Sequence, residues 1–454
     1  MVGQRRGGRR RTLLLGGAVR HRGRGDHSGG RTRRVRRGQP GRRGHRRRDR
    51  PVSRSAVADA VVVGGGVIGT ALAYRLAEAG LGRVVLLEQA RVAAHGATSR
   101  SGGLIRLHHT VHSDTVLTAR SLPVFEHWAD HIVGDCGYRR TGFLQLVGPQ
   151  YAEALAVNTA AASAAAGPRR AEVIDPAEAR RLYPGLALEG VAAIAFEPDG
   201  GYADPARTAT AWAAAAQQLG ASLHEGVRVH EVFATDDGSR VTGVNTTIGR
   251  IASPLVVLAG GAWGSAPAAG LGVQVPVTAR RIGLAQAYLP GAGRRGGPAS
   301  VPTCIDDTTG SYFRPDGTDR FFFGVPSNPD VTLGHDVAPL SSKELSSALA
   351  AIAHRVPAAA TAPLTGTRAG LDGYTPDKRP VIGPVGPDGL YLALGFSGGG
   401  FKMSPAVAEL AAAEILDGQA VTGKSEQPLL APYRLGRFAN GGRGIVPEAP
   451  YAQM

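Results

Sequence analysis

A glycine turn between an apolar segment and a helical pattern constrains this chain more than any other feature. Apolar residues 60–63 are followed by the spacing GxGxxG at residues 64–69 and then by a helix-like run. A second apolar segment, residues 84–87, ends in the carboxylate of Glu88. This order predicts a strand, a tight turn, a helix and a parallel strand, which is the first unit of a doubly wound α/β sheet.

Each glycine of the turn has its own task. Gly64 makes the tight turn, Gly66 lets the backbone approach a pyrophosphate, and Gly69 lets the helix pack closely on the strand. The helix N-terminus, at Val67 and Ile68, then offers unpaired N–H groups and a positive dipole end to phosphates. The turn therefore predicts a phosphate-containing ligand.

The carboxylate at the end of the second strand refines that prediction. Glu88 lies 19 residues after Gly69, where an acid can accept hydrogen bonds from a ribose 2′-OH. The same negative charge would repel a 2′-phosphate. The sequence thus predicts an adenine dinucleotide site and argues against NADP.

The strong positive charge belongs to one segment of the chain. The 454 residues have a formal net charge of +16, but residues 1–55 alone hold 20 arginines and two acids. We expect this Arg/Gly-rich extension to be disordered, because it has too few apolar residues to bury a core. It is either a nucleic-acid-binding arm or an extension absent from the native protein, with translation starting near Val57. We favour the second interpretation and expect no nucleic-acid partner.

Cysteine usage and hydropathy bound the cellular context. Cys136 and Cys304 lie in no CxxC or Cys/His cluster, so we expect a reduced, cytoplasmic protein with no metal site. No stretch of 18 uncharged apolar residues occurs, so no transmembrane helix is expected. The three histidines at positions 108, 109 and 112 lack a carboxylate or cysteine to complete a metal site, and we expect them on the surface or supporting other site residues.

The rest of the chain reads as an α/β protein with an inserted sheet. Residues 275–323 alternate strand-like segments with turns, which is typical of a separate, mainly antiparallel sheet, whereas residues 368–384 read as turns. Helices are predicted at residues 113–132, 151–166, 345–352 and from about 405 to 416.

Four segments together carry a family resemblance. They are residues 61–88, the glycine/hydroxyl loop 96–106, the apolar strand and glycine turn 255–263, and the pair 373–384 with 395–402. In this order they resemble the D-amino-acid oxidase superfamily of FAD enzymes, within it the glycine/sarcosine oxidase-like branch. The resemblance implies a Rossmann-like FAD-binding domain, α/β and in part α+β, with a discontinuous, mainly antiparallel β substrate domain.

The resemblance also implies a division of the chain and a set of flavin contacts. The FAD-binding domain is expected at residues 57–140, 201–270 and 366–425, the substrate domain at 141–200 and 271–365, and a C-terminal tail at 426–454. Besides the glycine turn and Glu88, FAD contacts are implied at Ser99, Arg100, Gly103, Val229 (at the adenine), Gly260, Gly395, Ser397, Gly398, Gly400 and Phe401.

Two cations match the positions that hold the substrate carboxylate in this branch, Arg106 and Lys402. The chemistry agrees, because a carboxylate entering an apolar site must be paired. A guanidinium and an ammonium would fix the substrate C–H bond over the flavin. The implied reaction is hydride transfer to flavin N5 from the carbon beside nitrogen, giving an imine that hydrolyses.

Two departures from the branch change the expectations. Where the covalent-flavin members have a cysteine, this chain has Asp372 or Gly373, so we expect non-covalent FAD. The oxygen-activating lysine of sarcosine oxidases would fall near residues 321–323, which are phenylalanines. Either dioxygen reacts slowly or an arginine such as Arg281 takes that role.

Three functions therefore stay open from the sequence. The first is an oxidase of a small amino acid or N-methyl amino acid, such as sarcosine, glycine or a D-amino acid. The second is a dehydrogenase of the same fold that passes electrons to an acceptor other than oxygen. The third is a non-catalytic FAD-binding assembly protein.

Overall fold

The strands form two large sheets and two small ones in a computed structural model that describes residues 56–168, 170–326, 330–333, 337–419, 429–447, 449 and 451. The arginine-rich segment 1–55 lies outside the described residues, and its disorder stays a prediction. Among the residues described, no helix has both the length and the apolar character needed to cross a membrane.

The strands are β1 (Ala56–Val57), β2 (Ala60–Val63), β3 (Val84–Glu88), β4 (Leu104–Ile105), β5 (Arg139–Arg140), β6 (Phe143–Val147), β7 (Glu172–Ile174), β8 (Ala193–Glu197), β9 (Gly201–Tyr202), β10 (Ser222–Glu225), β11 (Val229–Ala234), β12 (Val241–Thr246), β13 (Gly249–Ala252), β14 (Val256–Leu258), β15 (Thr278–Tyr288), β16 (Thr303–Asp306), β17 (Ser311–Pro315), β18 (Arg320–Val325), β19 (Asp330–Val331), β20 (Leu364–Tyr374), β21 (Val381–Pro384) and β22 (Leu390–Leu394). The α-helices are α1 (Val67–Glu78), α2 (His112–Glu126), α3 (Trp128–His131), α4 (Ala152–Ala166), α5 (Pro176–Leu182), α6 (Pro205–Gln218), α7 (Ser342–Arg355) and α8 (Gly400–Gln419). Short 3-10 helices lie at Thr98–Arg100, Pro149–Tyr151, Gly261–Trp263, Ala266–Leu271, Pro357–Thr361, Ala431–Tyr433 and Leu435–Gly441.

A six-stranded sheet carries the glycine turn. Its order is β10-β3-β2-β14-β22-β21, and all neighbours are parallel except β21, which runs antiparallel to β22. The chain leaves β2 toward β3 on one side and later returns beside it as β14, so a crevice opens at the carboxyl end of β2. Helix α1 packs between α6 and α8 on one face of this sheet. The predicted strand–turn–helix–strand unit is confirmed.

A nine-stranded sheet forms the second layer. Its order is β19-β15-β18-β17-β16-β6-β8-β7, and β20 pairs with β15 in addition. Its pairs are antiparallel except β16 with β6, which agrees with the predicted, mainly antiparallel sheet. Helix α7 packs on it over a core of phenylalanines, Phe313, Phe321 and Phe323. Two smaller sheets have the orders β1-β13-β12-β11 and β4-β9-β5.

The turns predicted at residues 368–384 occur at residues 375–380, whereas residues 368–374 and 381–384 are strands. Strand β20 continues to Tyr374 and pairs with β15 over nearly its whole length. Its glycines suggest turns, but two of them allow close approach instead. A Cβ on Gly370 would lie 2.7 Å from the Arg100 side chain, and one on Gly373 would lie 3.1 Å from Val277 and 3.2 Å from the Ala262 and Gly261 backbone.

A fully buried ion pair fastens α7 to the nine-stranded sheet. Arg355 Nε donates to Asp306 Oδ2 at 2.7 Å, and its Nη2 donates to Thr308 Oγ1 at 2.7 Å. The side chains of Arg355 and Asp306 are both 0% exposed. Because water does not reach either side chain, each charge is stabilised mainly by the other, and removing one would leave the other buried without a counter-charge.

We expect Arg355→Met to lower the free energy of unfolding by about 3–5 kcal/mol, because it leaves the Asp306 carboxylate buried without its cation. Urea denaturation measures this change. The control is Arg181→Met, which breaks the exposed pair with Glu178 and should change stability by no more than about 1 kcal/mol. Equal losses in the two variants would contradict the prediction.

Candidate functional site

A cavity of about 580 Å³ lies between the two large sheets. One wall is the crevice at the carboxyl end of β2, formed by residues 63–68 with the turn 259–264 after β14. The other wall comes from the nine-stranded sheet, through side chains of β15, β17 and β20. The position at the carboxyl ends of parallel strands is where doubly wound sheets bind ligands.

The glycine turn is shaped by close backbone contacts. Gly64 has φ +112°, and a Cβ there would lie 2.6 Å from the Ala259 carbonyl oxygen. A Cβ on Gly69 would lie 1.9 Å from the Gly64 carbonyl oxygen. Gly69 therefore lets α1 start directly beneath the turn, and it does not line the cavity itself.

Two side chains from outside the turn complete it. The Gly65 N–H donates to Glu88 Oε2 at 2.7 Å, and the Ala90 N–H donates to Glu88 Oε1 at 2.8 Å. Val67 N–H donates to Thr98 Oγ1 at 3.0 Å, so Thr98 caps α1 across the chain. A carboxylate has about four lone-pair sites, so Glu88 keeps acceptor capacity for a hydroxyl. Nothing near residue 67 in sequence pointed to Thr98.

The loop after β3 approaches the same cavity. Arg100 lines it, crosses Gly370 of β20, and donates from Nε to the Ala369 carbonyl oxygen at 3.4 Å. Ser99 does not line the cavity, since its hydroxyl donates to the Ala94 carbonyl oxygen at 3.1 Å within the loop. Ser99 is therefore placed to support the loop.

The structure brings most of the residues singled out from the sequence to one cavity. Its lining includes Gly64, Gly66, Val67, Ile68, Glu88, Arg100, Gly103, Arg106, Val229, Gly260, Gly395, Gly398, Gly400, Phe401 and Lys402. Gly69, Ser99 and Ser397 are not part of it. Ser397 is buried with φ +51°, and its hydroxyl donates to the Gly395 carbonyl oxygen while it accepts from Thr375 N–H. The glycine-lined crevice beside an acid fits an adenine dinucleotide such as FAD.

Arg106 and Lys402 are buried cations that face this cavity. Arg106 follows β4 and is 3% exposed, and Lys402 lies in the first turn of α8 and is 6% exposed. Neither forms an ion pair with another described residue. Arg106 donates to the His108 carbonyl oxygen, while its Nε has no hydrogen-bond partner in the described part of the chain. Lys402 Nζ donates to the Gly398 carbonyl oxygen at 3.4 Å.

Burial changes the acidity of both cations. Desolvation lowers the pKa of Arg106 to about 10, although the charges of Glu197 and Asp114 oppose the change. Desolvation, followed by repulsion from Arg106, lowers the pKa of Lys402 to about 7. An anionic ligand would relieve both effects, so the pair is suited to a carboxylate.

A buried carboxylate organises the chain behind Arg106. The Glu197 oxygens accept from Leu107 N–H and His108 N–H, each at 2.7 Å, and burial raises the pKa of Glu197 to about 7. His108 lies 3.0 Å through Nε2 from the hydroxyl of Tyr451, near the C-terminal end of the described chain. This support came from distant residues and had no local signal.

The three histidines were expected either on the surface or in support of other site residues, and both positions occur. His108 and His109 are buried, whereas His112 is exposed. Burial lowers the pKa of His108 to about 3 and that of His109 well below its ordinary value. In the described ranges, no group of three or more His, Cys, Asp or Glu side chains is placed to hold a metal ion.

The arginine suggested for oxygen activation points away from the cavity. Arg281 contacts Glu344 and the Pro339 carbonyl oxygen on the opposite face of β15. Its neighbour Arg280 lines the cavity instead, because successive side chains of a strand face opposite sides. Arg280 Nε forms an ion pair with Asp330 at 2.6 Å.

Comparison with known proteins identifies the family of the chain. A family model described as "FAD dependent oxidoreductase" matches residues 59–414. The crystal structure of L-proline dehydrogenase from P. horikoshii has a TM-score of 0.76 and 26% identity, covering 85% of this chain and 99% of that one.

Two curated relatives have a sequence identity close to that of the L-proline dehydrogenase. Human mitochondrial sarcosine dehydrogenase is 28% identical over 365 residues, which are 77% of this chain and 38% of the relative. Glycine oxidase from Geobacillus kaustophilus is 27% identical over 361 residues, which are 76% of this chain and 90% of the relative. The chain thus spans well under half of the length of the sarcosine dehydrogenase it matches.

Proposed function

The chain belongs to the FAD-dependent oxidoreductase family, and on that premise we propose that it oxidises the C–N bond of a small amino acid or N-methyl amino acid. One observation carries the proposal: two buried cations without ion pairs among the described residues, Arg106 and Lys402, line the cavity that also contains the glycine turn. The named activities of the relatives, on sarcosine, glycine and L-proline, support a substrate of this class.

The residues divide the work as follows. The turn at residues 64–68, Glu88 and the loop 395–401 would hold FAD, which supplies the hydride acceptor. Arg106 and Lys402 bind the substrate carboxylate and thereby orient the C–H bond beside nitrogen. The apolar walls exclude water, which strengthens the charge pairing. The resulting imine is released to water and hydrolyses.

Non-covalent attachment of FAD is part of the proposal. It is supported by the two cysteines, Cys136 and Cys304, which are buried, unpaired and not among the residues that line the cavity. Their free state also supports the cytoplasmic location proposed from the sequence. The proposed FAD-binding domain is supported by the six-stranded sheet, whose strands come from residues 60–88, 222–258 and 381–394.

The electron acceptor defines the second candidate function. Strand β18 has Phe321, Phe322 and Phe323 at the position expected for the oxygen-activating lysine. Among the described residues of β15, Arg280 is the only cation that lines the cavity, and it is paired with Asp330. This favours a dehydrogenase that passes electrons to an acceptor other than oxygen. The relatives' names include both oxidase and dehydrogenase.

An anaerobic screen tests the function directly. We expect the FAD-loaded protein to lose its visible flavin absorption with at least one of sarcosine, glycine, dimethylglycine, proline or a small D-amino acid. The matched carboxylic acids without nitrogen should not reduce the flavin. Readmitted oxygen should yield peroxide if the protein is an oxidase, whereas an artificial acceptor alone should restore the colour of a dehydrogenase. A stable flavin that no amine bleaches would favour the non-catalytic alternative.

A further inference from the structure

A buried acid, Asp372, lies in the wall of the same cavity. Asp372 lies near the end of β20 and is only 8% exposed. Its Oδ1 accepts from Gly373 N–H at 2.8 Å, and its Oδ2 accepts from Gly398 N–H at 2.8 Å. It forms no ion pair with another described residue. Asp372 is therefore an acid held in place by two backbone donors, with no cation bound to it.

The two amides leave part of the carboxylate unused. An ionised carboxylate has about four lone-pair sites, and each oxygen of Asp372 accepts one N–H in the structure. Each oxygen thus keeps acceptor capacity, and the residue lines the cavity. The geometry suits a ligand that brings N–H donors, which a carboxylate ligand does not.

The groups around Asp372 do not neutralise it. Lys402 is near enough for its charge to lower the pKa of Asp372, and Tyr312 and Tyr374 face it from β17 and β20. Arg280 is its cross-strand partner on β15, but the Arg280 guanidinium is bound to Asp330. Burial is the largest effect and raises the pKa of Asp372 to about 6, against the two amides and Lys402.

Arg106, Lys402 and Asp372 together provide two cations and one acid in a single cavity. This set is complementary to a zwitterion, whose carboxylate needs cations and whose ammonium needs an acceptor. We propose that Asp372 binds the amino group of the substrate and accepts the proton that its ammonium form must lose before the adjacent C–H bond is oxidised. This inference rests on the proposed function and deepens it.

The proton transfer balances without another reactant. An N–H bond of the ammonium breaks, an O–H bond forms on Asp372, and the nitrogen keeps the electron pair that the later C–H cleavage requires. Lys402 shows how this cavity treats an alkylammonium, since burial and Arg106 lower its pKa to about 7. Burial likewise disfavours the charged form of a bound ammonium and so favours transfer of its proton to Asp372.

Paired ligands test the proposal by flavin difference spectra. One ligand of each pair is an amino acid that is not oxidised, and the other is the matching carboxylic acid without nitrogen. Asp372→Asn should weaken the amino acid about tenfold or more, because it removes a charged acceptor, and change the carboxylic acid by less than about twofold. Asp130→Asn, at an exposed acid of α3 that does not line the cavity, is the control and should preserve both affinities.

A purely structural role gives a different pattern. If Asp372 only fastens the loop at residues 395–402, Asp372→Asn should weaken both ligands alike, and that outcome overturns the proposal. Unchanged discrimination between the ligands overturns it as well. Bleaching of the wild-type flavin by an amine is checked first, so failure of the proposed function is recognised separately.

The unmodified protein gives an independent measurement if Asp372→Asn does not bind flavin. Below about pH 6 the Asp372 carboxyl is protonated and loses its attraction for ammonium. The affinity ratio of the amino acid to the carboxylic acid should therefore fall by about tenfold per pH unit below that value. A ratio that stays constant from about pH 5 to about pH 8 overturns the proposal.

Discussion

Arg106→Ala and Lys402→Ala are each expected to weaken substrate binding by roughly 2–5 kcal/mol, because each leaves a carboxylate buried with an incomplete set of cations. This corresponds to an increase in KM of about thirtyfold to a few thousandfold. Both side chains are nearly inaccessible to solvent, so water cannot replace the lost charge. Steady-state kinetics with the amine found in the anaerobic screen, and titration with a carboxylate inhibitor, measure the effect.

Arg120→Ala is the matched control. Arg120 is on α2 and pairs with Glu409 of α8 on the surface, so its loss should leave KM within about twofold. Arg106→Lys should recover part of the binding, because it restores charge without the two-pronged geometry of a guanidinium. Normal kinetics in both alanine variants would rule out the carboxylate clamp.

The pH dependence of this binding has a defined direction. Lys402 is cationic below its pKa of about 7, so the affinity for a carboxylate ligand should fall as the pH rises through about 7. Arg106 is one of the causes that lower this pKa. In Arg106→Ala the fall should therefore move to higher pH, and in Lys402→Met it should disappear.

Gly69→Ala is expected to weaken FAD binding strongly. A Cβ at residue 69 would lie 1.9 Å from the Gly64 carbonyl oxygen, so α1 must move away from the turn that it supports. Overpacking of this kind costs about 1–3 kcal/mol or more, and the displacement acts on the backbone that approaches the pyrophosphate. We expect FAD affinity to fall by about a hundredfold or more, measured by quenching of FAD fluorescence on addition of apoprotein.

Gly80→Ala separates the packing effect from the effect of a glycine with positive φ. Gly80 follows the same helix with φ +76°, and a Cβ there meets nothing within 4 Å. Its replacement should lower stability by roughly 1 kcal/mol and leave FAD binding unchanged. Wild-type affinity for FAD in Gly69→Ala would show that the helix is not held by this contact.

Local patterns predicted the part of the site that one continuous segment forms. The strand, turn, helix and strand at residues 60–88 are contiguous, and the required glycines and acid have fixed spacing, so periodicity and turn chemistry were sufficient. Strand β20 was missed because Gly366, Gly370 and Gly373 mark turns in isolation. In the structure, Gly370 leaves room for the crossing Arg100 side chain, and Gly373 leaves room for the backbone after β14.

The sequence by itself predicted the dinucleotide crevice, and its family resemblance pointed to Arg106 and Lys402 as the candidate carboxylate-binding cations. The tertiary structure decided what surrounds them. Thr98 caps α1, Glu197 lies behind Arg106, and Asp372 lines the cavity from the nine-stranded sheet. Residue spacing encodes contacts within one or two elements, whereas these contacts join segments far apart in the chain. Lys402 and Asp372 are desolvated only once both sheets enclose the cavity, and this desolvation is the largest effect on the pKa of each side chain.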